Sequence, residues 1–179
     1  QSSALLVKVL KEIPNKVQAV ISASAVGWYG PDKEAEKKGF VETDPSFNDF
    51  LGQTCLAWEK SIEPVTQQGI RLVKLRIGIV LSNDGGALKE FKKPLKFGLA
   101  SILGPGKQII SWIHIDDVCR LFDYAMEQNK MNGSYNAVAP KPVSNAYLVR
   151  TLAKKMRGRA FITAPVPSFV LKLLLGEMS

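Results

Sequence analysis

The amino-acid sequence predicts an α/β fold in which helices wrap a parallel sheet. Two largely apolar runs rich in β-branched residues, 17–22 and 71–80, read as strands buried on both faces. Strand-like and helix-like periods alternate along the chain, the pattern of parallel strands joined through helices. The first run also ends abruptly in Ser22-Ala-Ser-Ala-Val-Gly27. A buried parallel strand brings backbone and hydroxyls to a site at its carboxyl end in this way.

The elements follow in order. Leu5, Leu6, Val9, Leu10 and Ile13 recur on one helical face, and Pro14-Asn15 ends that helix. After the strand at 17–22, residues 24–46 read as a long loop with a lysine- and glutamate-rich tip at 32–39. A helix over 47–62 places Phe50, Leu51, Thr54, Cys55 and Trp58 on a shared face, and Pro64 closes or kinks it. The strand at 71–80 is followed by a helix over 87–96, a glycine-rich stretch at 98–106 and a short strand near 109–113. Asp116 is placed as the cap of a helix striped by Val118, Leu121, Phe122, Ala125 and Met126. A short strand at 134–137 and a helix capped by Ser144 come next, then a short strand at 161–163 and a helix at 166–175.

Composition bounds the function. The chain has 179 residues, 46% hydrophobic and 22% charged, enough for a domain with a core of its own. No apolar run reaches the roughly 18 residues that span a bilayer, and Lys8 interrupts the only N-terminal apolar stretch. Cys55 and Cys119 read as buried free thiols, which fits a reducing cytoplasm. The net charge of +8 comes from scattered lysines without interleaved aromatic residues. That pattern indicates a solvated surface, and no nucleic-acid partner is expected. Neither a phosphate loop nor a G-x-S-x-G turn occurs, and with His114 as the single histidine a histidine-built metal site is excluded.

Read together, ISASAVGWYG at 21–30, Glu42, FLGQTCLAWE at 50–59, LRIGIV at 75–80, SWIHIDD at 111–117 and GSYN at 133–136 form an ordered set. This set resembles the second half of an extended short-chain dehydrogenase/reductase, the fold of sugar-nucleotide epimerases. The resemblance is strongest to the YfcH-like epimerase branch. It implies the later part of a Rossmann-like parallel sheet in residues 1–82. Residues 83–179 would form a small α/β substrate-binding lobe and the start of a C-terminal tail. Because no glycine-rich cofactor turn follows a strand, the sequence reads as a fragment beginning partway through a larger domain. NADP or NAD is expected in the whole protein, with none held tightly by this portion. The expected partner is a small-molecule substrate, nucleotide-sugar-like or another carbonyl compound. The helix at 47–62 is where relatives pair, so a homodimer is an option.

Family members use a serine past the first strand and a Tyr-x-x-x-Lys pair on the next helix. A lysine one turn from a phenol lowers its pKa, so that the phenol can exchange a proton near neutrality. Ser22 and Ser24 match the serine region, with Ser24 taken as the catalytic candidate and Ser22 as a cofactor contact. The pair does not match. Leu51 and Cys55, or Phe50 and Thr54 one residue earlier, occupy its positions. Tyr29 is the remaining phenol near the cleft and the second catalytic candidate, as an acid/base, with a structural or substrate-stacking ring as the alternative. Arg76, in a strand, needs a carboxylate or an anionic ligand and is taken as a cofactor contact. The resemblance implies cofactor contacts at Ile79 and Val80, with Gly78 permitting close approach. It also implies substrate-side roles for Glu42, Trp112 and His114, against the alternatives of a solvated loop acid and a structural histidine. The function implied is an NAD(P)-binding epimerase or oxidoreductase without the usual pair; the alternative is a catalytically silent cofactor-binding regulator or scaffold.

Overall fold

The computed structural model describes residues 2–31 and 39–166. Two compact units divide the chain, and neither is continuous in sequence. The first takes Gln1–Gly78 and Ile115–Val138, and the second takes Ile79–His114 and Ala139–Ser179. The chain therefore crosses between units at 78/79, 114/115 and 138/139, where the sequence suggested a single boundary after residue 82.

In the first unit, β1 (Ala19–Ala25), β2 (Arg71–Ile77) and β7 (Gly133–Ala137) form a sheet in the order β1-β2-β7. All pairings are parallel, with Ala19 opposite Arg71 and Val73 opposite Gly133. This is the arrangement expected of strands joined through helices. Around the sheet stand α1 (Ser2–Glu12), α2 (Phe50–Ile62) and α4 (Ile115–Glu127). The even-numbered positions of β1 and β2 start apolar and end polar. Ile62, Val65, Ile70 and Leu72 make a core cluster, with Val20, Val7 and Leu10 packed against it. Further along the same face, β2 carries Lys74 and Arg76. On the odd-numbered face Val73 and Leu75 are fully buried.

Local chemistry explains the boundaries. Asp49 caps α2 by accepting from the Gly52 amide at 2.7 Å. Gly52 itself admits the chain just before the helix, since a Cβ there would lie 2.2 Å from the Phe47 carbonyl oxygen. A 3-10 turn, Glu63–Gln68, carries Pro64 in its first turn and ends at Gly69 with φ 73°. Ser144 caps α5 (Asn145–Arg157), accepting from the Tyr147 amide at 3.2 Å.

Several expectations are corrected. Strand β1 runs to Ala25, three residues past the expected end, so Ser24 lies within the sheet. The run at 71–80 is two strands. It breaks at Gly78, and β3 (Ile79–Leu81) pairs in the second unit with β6 (Trp112–His114). Alternating Lys74 and Arg76 make β2 polar on one side of its carboxyl end. The buried face of α2 is Gly52, Cys55, Glu59 and Ile62, whereas Phe50, Leu51 and Trp58 are exposed. Helix α1 buries no residue fully despite its stripe. Helix α4 starts at Ile115, which puts Asp116 in its first turn instead of at the cap.

The second unit also contains α3 (Gly86–Leu95), β4 (Leu99–Leu103) paired in parallel with β9 (Ile162–Val166), and β5 (Ile109–Ile110) antiparallel to β8 (Val143–Ser144). Strand β4 lies in the glycine-rich stretch at 98–106, where no strand was expected. Leu95, Ala100, Ile102, Val149 and Ala153 form this unit's core, with Phe91, Leu152 and Phe161 against it. The lysine-rich tip at 32–38 and the helix expected at 166–175 lie outside the described residues, except that Val166 belongs to β9. No described helix is long and apolar enough to cross a membrane.

Candidate functional site

Parallel register sets two polar rows across the first unit's sheet. Ser22, Lys74 and Ser134 are neighbours in one, and Ser24, Arg76 and Asn136 in the next. Period-two alternation turns both rows toward a single face, where α2 supplies Glu59, 2% exposed. Helical spacing explains its place, since Gly52, Cys55, Glu59 and Ile62 fall on one face.

Glu59 is the hub. The Arg76 Nε donates to Oε1 at 2.8 Å and Nη2 to Oε2 at 3.2 Å, a two-point ion pair. The Ser24 hydroxyl donates to Oε1 at 2.8 Å, the Ser134 hydroxyl to Oε2 at 3.4 Å, and the Lys74 ammonium stands 3.3 Å from Oε2. Burial by itself would push the carboxyl pKa up. Hydrogen bonds from Arg76 and Ser24, with the charges of Arg76 and Lys74, outweigh burial and hold it below its ordinary value.

Arg76 is enclosed on all sides. Its Nη1 donates to the Tyr29 hydroxyl and to the Glu42 carbonyl, both at 3.0 Å, and its guanidinium carbon lies 3.7 Å from the Trp28 ring centre. Burial lowers its pKa and the Glu59 and Tyr29 contacts raise it further, so it stays charged. Of the two partners the sequence allows it, a carboxylate or an anionic ligand, the carboxylate is the one present. Tyr29 ends a 3-10 turn, Val26–Tyr29, and is 5% exposed. Its hydroxyl donates to Asn136 Oδ1 at 2.7 Å, and its ring stacks on Phe40 at 5.0 Å. Burial raises the phenol pKa despite the opposing pull of Arg76, so Tyr29 is protonated at neutral pH and is no base.

The loop that carries Glu42 is tied to β7. The Asn136 amide donates to Glu42 Oε1 at 2.9 Å and its side chain to the Phe40 carbonyl at 3.4 Å. The Trp28 indole donates to the Asp44 carbonyl at 2.9 Å. Ser24, Tyr29, Arg76 and Glu42 are thus brought together. Ser22 sits one row back and donates only to the adjacent Ala23 carbonyl. Ile79, Val80, Trp112 and His114 form a separate group in the second unit, where Ile79 faces Trp112 and Leu81 faces His114 across β3–β6. Trp112 donates to the Lys141 carbonyl at 3.1 Å, and His114 is exposed.

Where a Tyr-x-x-x-Lys pair would overlook the end of β1, the surface is apolar. A Cβ on Gly27 would lie 3.4 Å from Leu51 Cβ and 3.7 Å from Cys55 Sγ, so those two residues sit over the turn that follows the strand. Phe50 and Thr54 point away into solvent. Burial raises the Cys55 thiol pKa, with an opposing hydrogen bond at Ala25, which leaves no thiolate there. No group of three metal-ligating side chains occurs among the described residues.

Glu59, Asn136, Trp28, Lys74 and Ser134 were not read as site residues from the sequence. The signal for Glu59 was available: an acid at a core position of a helix, with an unpaired arginine in a facing strand. Asn136 carried no comparable signal, because its role comes from cross-strand register.

The profile of the NAD dependent epimerase/dehydratase family matches residues 2–138. The chain is 36% identical over 173 residues to the epimerase family protein YfhF of Bacillus subtilis, covering 96% of this chain and 55% of that protein. It superposes on the crystal structure of the human epimerase family protein SDR39U1 with NADPH at a TM-score of 0.85. The identity is 31%, over 98% of this chain and 58% of that one. On a nucleoside-diphosphate sugar epimerase from Corynebacterium glutamicum the TM-score is 0.76, with 32% identity over 96% and 37% of the two chains. The chain spans a little over half the length of the curated relatives it matches. The fold is the Rossmann-like α/β fold of these proteins, and the chain belongs to the NAD dependent epimerase/dehydratase family.

Proposed function

We propose that the whole protein binds NADP(H) or NAD(H) and acts on a small carbonyl substrate, nucleotide-sugar-like in kind, without a Tyr-Lys couple. The observation that carries this reading is the match, over 98% of the chain, to a protein crystallised with NADPH. The first unit suits such a cofactor. Ser22, Ala23 and Ala25 keep the carboxyl end of a parallel strand narrow, and the Ser22 hydroxyl has no tie beyond its own neighbour's carbonyl. Of the contacts expected for it, Ser22, Ile79 and Val80 stay open to that role, whereas Arg76 is taken up by Glu59; once bound, the nicotinamide would supply the hydride. Ser24 and Tyr29 give their protons to Glu59 and Asn136, so their part is to fix the wall of the site. Glu42, Trp112 and His114 are assigned to the substrate side. The 179-residue chain alone is expected to hold dinucleotide weakly.

The second reading is a catalytically silent, cofactor-binding regulator or scaffold. It is favoured by Leu51 and Cys55 at the positions where the proton-relay pair belongs. The two readings part when the whole protein is incubated with NADPH and a panel of sugar nucleotides. Steady NADPH oxidation or epimer formation supports the enzyme, and cofactor binding with neither supports the silent protein. Pairing of two copies through α2 belongs to either reading and is supported by its exposed Phe50, Leu51 and Trp58. A cytoplasmic location and the absence of nucleic-acid binding complete the proposal.

A further inference from the structure

Charge is not spread evenly along the chain. Residues 128–176 contain eight lysines and arginines and no aspartate or glutamate, so the remaining residues balance at sixteen of each sign. Three of these cations converge in the second unit. Arg150, Lys154, Gly158, Arg159, Phe161 and Thr163 line an open groove of about 430 Å³. Arg150 and Lys154 are one helical turn apart on α5, and hence on one face. Gly158, with φ 63°, turns the chain so that Arg159 and the start of β9 face the same opening.

Two features separate this groove from an ordinary charged helix end. Cations in the last turn of a helix are favoured by its dipole, which accounts for Lys154, Lys155 and Arg157. It does not account for Arg150, two turns inside the helix, or Arg159, beyond its end. None of the three groove cations has an ion-pair or hydrogen-bond partner among the described residues, whereas Arg157 lies against Gly98. The floor is also built: Phe161 packs against the core of Leu95, Ala100, Ile102, Val149 and Ala153, so its ring is held in place while its edge lines the groove.

We propose that this groove binds a phosphate-bearing small molecule of about mononucleotide size, its anionic group between Arg150, Lys154 and Arg159 and its apolar part on Phe161. The Thr163 hydroxyl, also in the lining, adds a neutral donor. A nucleic-acid strand is the less suitable occupant, since strand binding uses successive aromatic platforms and only one ring is present. The groove shares no residue with the Glu59 network, so the proposal does not depend on the nicotinamide reading.

The test is a titration of the isotope-labelled whole protein with pyrophosphate and with AMP, followed by amide chemical shifts. Saturable shifts at Arg150, Lys154, Gly158, Arg159, Phe161 and Thr163 are expected. An Arg150→Gln/Arg159→Gln variant should bind at least tenfold more weakly, because it loses two charge-assisted contacts to the anion. Both side chains are exposed, so the variant's thermal midpoint should match the parent's. The absence of saturable shifts would overturn the proposal, as would unchanged affinity in the variant. A single-stranded RNA that binds with steep salt dependence while AMP does not would also overturn it and point to a polymer.

Discussion

Glu59 and Arg76 hold α2 to β2 through a two-point ion pair buried to 2% and 3% exposure. Taking two charges from water costs several kcal/mol per ion, so such a pair adds little net stability over well-packed apolar residues. Its effect is on placement. Arg76 reaches on to Tyr29 and the Glu42 carbonyl, so one carboxylate fixes the strand end, the turn after β1 and the loop over β7. Replacing Glu59 with Gln should cost about 3–5 kcal/mol, because it leaves the guanidinium charge buried without its counter-charge. Urea denaturation measures this. A Glu59→Leu/Arg76→Met double variant should lose markedly less than the two single losses combined.

The same pair makes the first unit acid-sensitive. The folded pKa of Glu59 lies below its unfolded value of about 4.3. Its contribution to stability is therefore complete above that value and fades as the pH falls through the folded pKa. Melting temperature followed from pH 6 downward should drop more steeply in the parent than in Glu59→Gln. Parallel curves would mean that the carboxyl titrates normally.

Tyr29 should be the last tyrosine to ionise. With four tyrosines in the chain, a phenolate absorbance titration should show one lagging the others, and Tyr29→Phe should remove that one. The substitution also leaves Asn136 Oδ1 without its donor, at a cost of about 1–3 kcal/mol. If Tyr29 only braces the site, any turnover measured in the whole protein should fall less than tenfold. A loss of three or more orders of magnitude would make it an acid.

Gly52→Ala separates local propensity from packing. Alanine favours a helix by about 1 kcal/mol over glycine, yet its methyl would meet the Phe47 carbonyl oxygen at 2.2 Å. Rigid backbone on that side predicts a net loss of about 1–3 kcal/mol by thermal or urea unfolding. A gain in stability would show that the segment before α2 yields.

Pairing through α2 is open to a direct check. Exposed Phe50, Leu51 and Trp58 predict a dimer in light scattering of the whole protein, and Phe50→Glu/Trp58→Glu should return it to monomer. A monomeric parent removes this part of the reading.

Sequence patterns reveal the parallel layout because burial and period act locally. The apolar runs of β1 and β2 and the cap at Ser144 are readable residue by residue. The break at Gly78 is not, because Ile77 and Ile79 are equally suited to a strand and only their partners, Ala137 and Ser111, send them to different units. The site was legible in part. Arg76 announced a buried anion, and the missing Tyr-Lys couple was visible at Leu51 and Cys55. Asn136 and Ser134 acquire meaning only through their register with Arg76 and Lys74, which neighbouring residues do not encode. The apolar stripe of α1 misled, since only Val7 and Leu10 reach the core.

The decisive measurement is a calorimetric titration of NADPH into the whole protein. Saturable one-site binding at micromolar concentration or tighter is predicted, weakened by Ser22→Val at the end of β1. A folded protein that shows no binding heat at millimolar NADPH would contradict the assignment of a nicotinamide site to this sheet.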